Sequence, residues 1–181
     1  MALKPTIYKA QINLADSDRN CFEELSLTVA KHPSETLERM TMRLIAYCLN
    51  SNRGLEFTRG LSSADEPDIW EIADNGEIAH WIELGQLEEP RLRKACGRAK
   101  KVSVYSFGKS SATWWKLNGE AISALPGIQV WQFVWSEIEE AAGLMGRTMK
   151  LGLSVVGGTL YLDDGARSVT LEPTLLFSAA P

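Results

Sequence analysis

Apolar and polar positions alternate from Thr6 to Leu14, with Ile7, Ile12 and Leu14 prominent, and the same rhythm returns from Cys21 to Ala30. Asp16-Ser17-Asp18 between them is turn chemistry, so this region predicts a β-hairpin. The period then changes. Pro33 suits the first position of a helix and Glu35 its positive end. Leu37, Met40, Leu44 and Cys48 follow helical spacing, beside a second stripe of Glu38, Met42, Ile45 and Leu49. Together they predict a helix with one wide apolar face that stops at Asn50 to Gly54.

Between Asp68 and Leu84, two strand-like runs rich in Ile and Trp flank Asn75-Gly76, the dipeptide that marks a type I′ hairpin turn. Pro90 opens a helix expected to run to about Lys100, with Leu92, Ala95, Cys96 and Ala99 inward. Val102 to Phe107 reads as a buried strand. A helix follows from Ser110 or Ser111, then a strand over Ile128 to Val134, then a helix from Ser136 to about Met145. Leu151 to Val156, Thr159 to Leu162 and Ser168 to Leu171 predict a β-meander turned at Gly157-Gly158 and Asp164-Gly165. The order gives an α+β class with an α/β-like core: a mixed sheet with flanking helices, extended by N- and C-terminal strands.

Composition narrows the function classes. The 181 residues fit one domain spanning 1–181. Lys and Arg total 19 against 23 Asp and Glu, a net charge of −4, so any nucleic-acid or membrane role must come from a local patch. Cys21, Cys48 and Cys96 stand at no C-x-x-C spacing, and His32 and His80 are the only histidines. The start carries charge and Pro rather than an apolar core, and no run of about 18 apolar residues occurs. These features predict a reduced, soluble, cytoplasmic protein that does not enter a membrane.

The hairpin carries the chemistry. With Asn75 and Gly76 as a two-residue loop, Asp74 pairs with Glu77, Ile72 with Ala79, Trp70 with Trp81 and Asp68 with Glu83. Directly opposed residues have Cβ atoms roughly 5 Å apart, and two like charges there are destabilising. A shared proton, an Arg or Lys, or a hard divalent cation such as Mg²⁺ or Mn²⁺ would compensate. The plainer alternative is that the strand ends fray into water. A three-residue loop would slip the register by one and split the pair across two faces. Glu38, at the end of an apolar helix stripe, is a further acid at the rim of the core; the plain alternative is a first-turn Glu favoured by the helix dipole.

From Arg91 to Lys101 come six basic residues and no acid. By helical spacing Arg91, Lys94, Arg98 and Lys101 share one side, a face that would attract phosphates in a salt-dependent way. A solvated helix face is the common alternative. Six Trp residues suit core packing, and Trp114-Trp115 is placed for base stacking.

Several strings resemble the YaeQ family across essentially the whole chain. They are Met1-Ala2-Leu3-Lys4, His32-Pro33-Ser34-Glu35-Thr36 with Glu38-Arg39-Met40, and Phe57-Thr58-Arg59-Gly60-Leu61. Further along come Asp65-Glu66-Pro67-Asp68, Trp81-Ile82-Glu83-Leu84-Gly85, Lys94-Ala95-Cys96 and Arg147-Thr148-Met149. The resemblance implies a variant of the PD-(D/E)XK restriction-endonuclease-like fold, with a helix, three strands, a helix and a strand. It implies a metal set of Glu38, Asp68 and Glu83 for Mg²⁺ or Mn²⁺, and a metal-dependent nuclease. The motif's Lys, two positions after the second-strand acid's partner, is Gly85 here; Lys94 is the migrated substitute and Gln86 the other nearby polar candidate. The alternative is a catalytically inactive, transcription-related protein on the same scaffold that binds nucleic acid or a protein partner.

Overall fold

The alternation near the N-terminus does build a hairpin in the computed structural model, which describes residues 3–179. In chain order the elements begin with strands β1 (Thr6–Asp16) and β2 (Cys21–Lys31), helix α1 (Leu37–Leu49), and strand β3 (Leu55–Phe57). A 3₁₀ turn (Gly60–Ser62) leads to β4 (Ile69–Ile72), β5 (Ile78–Leu84), α2 (Glu89–Cys96), β6 (Ala99–Ser106), α3 (Ser111–Ser123) and β7 (Ile128–Gln132). Then follow α4 (Trp135–Ala142), β8 (Thr148–Val156), β9 (Thr159–Asp163), β10 (Ser168–Leu171) and β11 (Thr174–Ser178). The class is mixed α+β, with two mixed sheets. None of the described helices is long and apolar enough to cross a membrane.

The one-domain expectation for 1–181 takes in two compact units. The first uses residues up to Leu49 and Ser136–Pro173; the second uses Asn50–Trp135 and the segment from Thr174.

In the first unit the sheet order is β10-β9-β8-β1-β2, with β1 and β8 parallel and the other neighbours antiparallel. Ala10, Ile12 and Leu14 point inward from β1, while Gln11 and Asn13 point to water, the period-2 pattern of a one-sided sheet. Helix α1 starts at Leu37 rather than near Pro33, with Thr36 accepting the backbone N–H of Arg39 as a cap. Glu35 therefore lies ahead of the helix and does not sit on its dipole. It is buried and takes a two-pronged bond from Arg43, Nε to Oε1 at 2.8 Å and Nη2 to Oε2 at 2.7 Å.

The second unit has the sheet order β11-β7-β6-β5-β4-β3. Strands β5, β6 and β7 run parallel, joined through α2 and α3, while β3, β4 and β5 form an antiparallel meander. Its core gathers Trp81, Leu92, Val104, Trp114, Ile122 and Val130. Each such buried aliphatic side chain contributes about 1.5–3 kcal/mol relative to exposure. Trp114 is in that core, its indole N–H donating to the Leu87 carbonyl, so it is not available for base stacking. Helix α2 ends at Cys96, short of the expected Lys100, because Gly97 closes it and Ala99 already pairs with Ile78 on β5. Lys100 and Lys101 are strand residues as a result. The predicted row of four basic side chains on one helix is split between helix (Arg91, Lys94), turn (Arg98) and strand (Lys101).

Candidate acid-pair site

The β4–β5 hairpin sets the site. Its loop is one residue longer than the sequence suggests: the Ala73 N–H bonds the Glu77 carbonyl, and the Gly76 N–H bonds the Ala73 carbonyl. Gly76 has φ +82°, which a side chain adopts rarely. A three-residue loop alone would have thrown the two strands out of the expected register. A bulge at Ala79 undoes the slip, since Ile72 pairs with Ile78 but Glu71 pairs with His80. Beyond it Trp70 faces Trp81 and Ile69 faces Ile82, as the sequence predicts. The two indoles meet edge to face, with centroids 6.4 Å apart.

Asp68 and Glu83 stand just outside these pairs, and each is 2% exposed. Asp68 Oδ2 accepts the Leu84 backbone N–H at 2.9 Å, standing in for a ladder carbonyl on the β4 side of β5. Its own N–H donates to Ile82 O, and its carbonyl accepts from the Thr58 N–H. Glu83 lies two residues after Trp81 and so on the same sheet face. Glu83 Oε1 accepts from the Trp81 indole at 3.0 Å and from Arg91 Nε at 2.8 Å. Arg91 Nη2 is also 2.8 Å from that oxygen. Burial pushes the Glu83 carboxyl above the usual carboxylate range. The Arg91 and Trp81 bonds pull it back, and the nearby Asp68 charge adds to the rise. Asp68 thus lies within electrostatic range of Glu83, and the guanidinium bonded to Glu83 offsets the rise.

The other predicted residues are distributed as follows. Lys94 Nζ is 2.9 Å from Asp65 Oδ1, in a pair where both side chains are exposed. The Arg98 guanidinium lies over the Trp81 ring, 5.0 Å from its centroid, and donates to Asp65 O. Lys101 is an exposed residue of β6 paired with His80. Gln86 follows β5; its amide donates to Phe107 O and accepts from Ser110 Oγ. Glu38 belongs to α1 in the first unit, whereas Asp68 and Glu83 belong to the second.

Sequence reasoning missed the role of Arg91 as counterion, and it missed His80. That imidazole is buried, bonded through Nε2 to Ser103 Oγ at 2.7 Å. Burial first, then the Lys101 charge, lowers its pKa to about 3, so it is neutral at ordinary pH. The available signal was position: His80 sits in the same run as Trp81, inside a strand.

Two carboxylates are donors of the right kind for a hard divalent cation, which takes oxygen ligands and keeps several waters. Among the described residues no group of three or more His, Cys, Asp or Glu is gathered for a metal. A cation taken up here would draw on Asp68 and Glu83 and would compete with Arg91 for Glu83 Oε1.

Comparison with known proteins follows the same outline. The family model described as "YaeQ protein" matches residues 1–173. The chain is 39% identical over 175 residues to proteins named "Uncharacterized protein YaeQ" from Salmonella typhi and Escherichia coli (strain K12), covering 96% of this chain and 97% of each relative. The crystal structure of YaeQ protein from Xanthomonas axonopodis pv. citri superposes with a TM-score of 0.93 at 36% identity, over 98% of this chain and 99% of that one. The YaeQ protein of Pseudomonas syringae gives 0.91 at 34% identity, over 96% and 97%. On this family match and these near full-length identities, the chain belongs to the YaeQ protein family.

Proposed function

We propose that the second unit is a restriction-endonuclease-like core with a degenerate PD-(D/E)XK motif, and that it hydrolyses phosphodiesters in nucleic acid with Mg²⁺ or Mn²⁺. The observation that carries this reading is the Asp68–Glu83 pair: two buried carboxylates, one just ahead of β4 and one on β5, with the Asp68 charge raising the Glu83 carboxyl. Within this unit the order β3, β4, β5, α2, β6 is consistent with the three strands, helix and strand of that superfamily. Asp68 and Glu83 would hold the ion through carboxylate oxygens. Bound there, it supplies Lewis-acid stabilisation of the phosphoryl charge and a more acidic water. Trp81 orients Glu83 through its indole N–H. Lys94, one turn beyond Arg91 on α2, is the cation placed to meet a phosphate, with Arg98 beside it, and Gln86 is the polar side chain at the end of β5. The unpaired thiols of Cys21, Cys48 and Cys96 suit a reducing cytoplasm.

A second reading has its own observation. Gly85 takes the place of the motif's Lys, and Arg91 already neutralises Glu83. This favours a scaffold that binds nucleic acid or a protein without cutting, in a transcription-related role. Labelled DNA and RNA, single- and double-stranded, incubated with and without Mn²⁺, separate the two. Cleavage by the wild type that is abolished in Glu83→Gln and Asp68→Asn supports hydrolysis. Metal-independent binding with no cleavage supports the second reading.

A further inference from the structure

Three cations on and just after α2 are already engaged by a neighbouring segment. Arg91 Nη1 donates to Ala64 O at 3.0 Å and Nη2 to Glu66 O at 3.1 Å. Arg98 Nη1 donates to Asp65 O at 2.9 Å, and Lys94 Nζ pairs with Asp65 Oδ1 at 2.9 Å. Three successive carbonyls and one carboxylate of a single turn-rich stretch thus occupy donors of three members of the cationic row that the sequence marks as a phosphate-binding face.

The stretch is the strap between β3 and β4. Its ends are pinched together: the Thr58 N–H donates to Asp68 O, and the Thr58 hydroxyl donates to Pro67 O. Arg59 and Glu66 pair across it at 3.0 Å. Gly60 begins the 3₁₀ turn with φ +56°, and a Cβ built on it would stand 4.0 Å from Asp68 Oδ1. The strap therefore passes beside the acid pair as well as along α2. Its docking is weakly held where it matters. In the Lys94–Asp65 pair the side chains are 62% and 77% exposed, and such pairs contribute little. The Lys94 ammonium beside it holds the Asp65 carboxyl below its ordinary range, so the pair is charged on both sides at neutral pH.

We propose that the 58–68 strap is an internal occupant of a nucleic-acid phosphate site formed by Arg91, Lys94 and Arg98, so that strap docking and nucleic-acid binding exclude each other. The inference rests on the nucleic-acid side of the proposed function and not on hydrolysis. A polyanion offers the same cations full charges in place of carbonyl dipoles and one carboxylate, and it releases counterions as it does so. Exchange frees residues 64–66 of the strap and takes Arg91 off its two carbonyls, while Asp68 keeps its bonds to β5 and Glu83 keeps its guanidinium.

The test is anisotropy titration of labelled duplex and single-stranded oligonucleotides in EDTA, where cleavage is silent, at two salt concentrations. Asp65→Asn loosens the strap and is expected to tighten binding about two- to fivefold. Asp74→Asn removes the same charge at the exposed hairpin turn, outside the strap, and is expected to change binding far less. In a Lys94→Ala background the Asp65→Asn gain is expected to vanish. Thermal melting of each variant shows that it is folded; the substituted side chains are exposed. Equal effects of Asp65→Asn and Asp74→Asn, an Asp65→Asn gain that survives Lys94→Ala, or no binding by any form would overturn the proposal. A wild type that binds in this pattern but never cleaves with Mn²⁺ would remove hydrolysis and leave the strap exchange standing.

Discussion

Two glutamate–arginine pairs, each with partners eight residues apart, serve opposite ends in this protein. In the first unit Glu35 and Arg43 side chains are 2% and 5% exposed, and both carboxylate oxygens are engaged by one guanidinium. In the second unit Glu83 is as buried, but Arg91 is 34% exposed, bonds a single carboxylate oxygen, and divides its remaining donors between strap carbonyls. A second acid, Asp68, adds repulsion only at Glu83. The first arrangement is a sealed tie between the segment ahead of α1 and the helix itself. The second is a cation on loan, with exchangeable partners beside charge that is costly to hold. Residue identity and spacing are the same; access and crowding make one structural and the other a candidate site.

Breaking the sealed tie should be the larger loss. Arg43→Ala leaves Glu35 buried with the long contact to Arg39 at 3.4 Å in place of its two-pronged bond, and should destabilise the fold by about 3 kcal/mol or more in urea unfolding at neutral pH. Arg91→Ala should cost less, about 1–2 kcal/mol, because Glu83 keeps the Trp81 bond and can take up a proton. Equal losses would erase the contrast.

His80 gives the next effect, through pH. Its pKa falls from 6.5 to about 3 on folding, so its contribution is present above pH 6.5 and is lost as pH falls. The loss should reach about 3 kcal/mol by pH 4. Stability of His80→Gln should fall less steeply over that window; parallel curves would contradict the assignment. Glu83 runs the other way. Its raised pKa means its contribution is present at low pH and lost as pH rises through the shifted value. Glu83→Gln keeps an acceptor for Trp81 and Arg91 without the charge, so it should gain on the wild type as pH rises from 4 to 8. The smallest change is expected at the exposed strap pair, where Lys94→Ala should alter stability by under about 1 kcal/mol.

The hairpin shows what was legible in the sequence. Asn75-Gly76 correctly located the turn and the Trp70–Trp81 pair, yet the loop has three residues and the register is rescued by a bulge at Ala79. Two backbone irregularities that cancel leave no trace in a period-2 pattern. Local alternation also revealed β1, β2 and the β8–β10 meander, but not that β1 and β8 are parallel neighbours, a pairing set by contacts more than a hundred residues apart. Short β3 gave too few positions for a period to show, and edge strand β11 buries no alternating face. Arg91 read as part of a basic helical stripe because its partner Glu83 lies on another element; only the fold puts that acid within reach.

The most direct test of the acid-pair account is calorimetric titration of Mn²⁺ into the wild type, Asp68→Asn, Glu83→Gln and Arg91→Met. The account predicts one saturable site in the wild type, its loss in both acid variants, and tighter binding once the competing guanidinium is removed. Indistinguishable heats in the wild type and Asp68→Asn, or weaker binding in Arg91→Met, would contradict it.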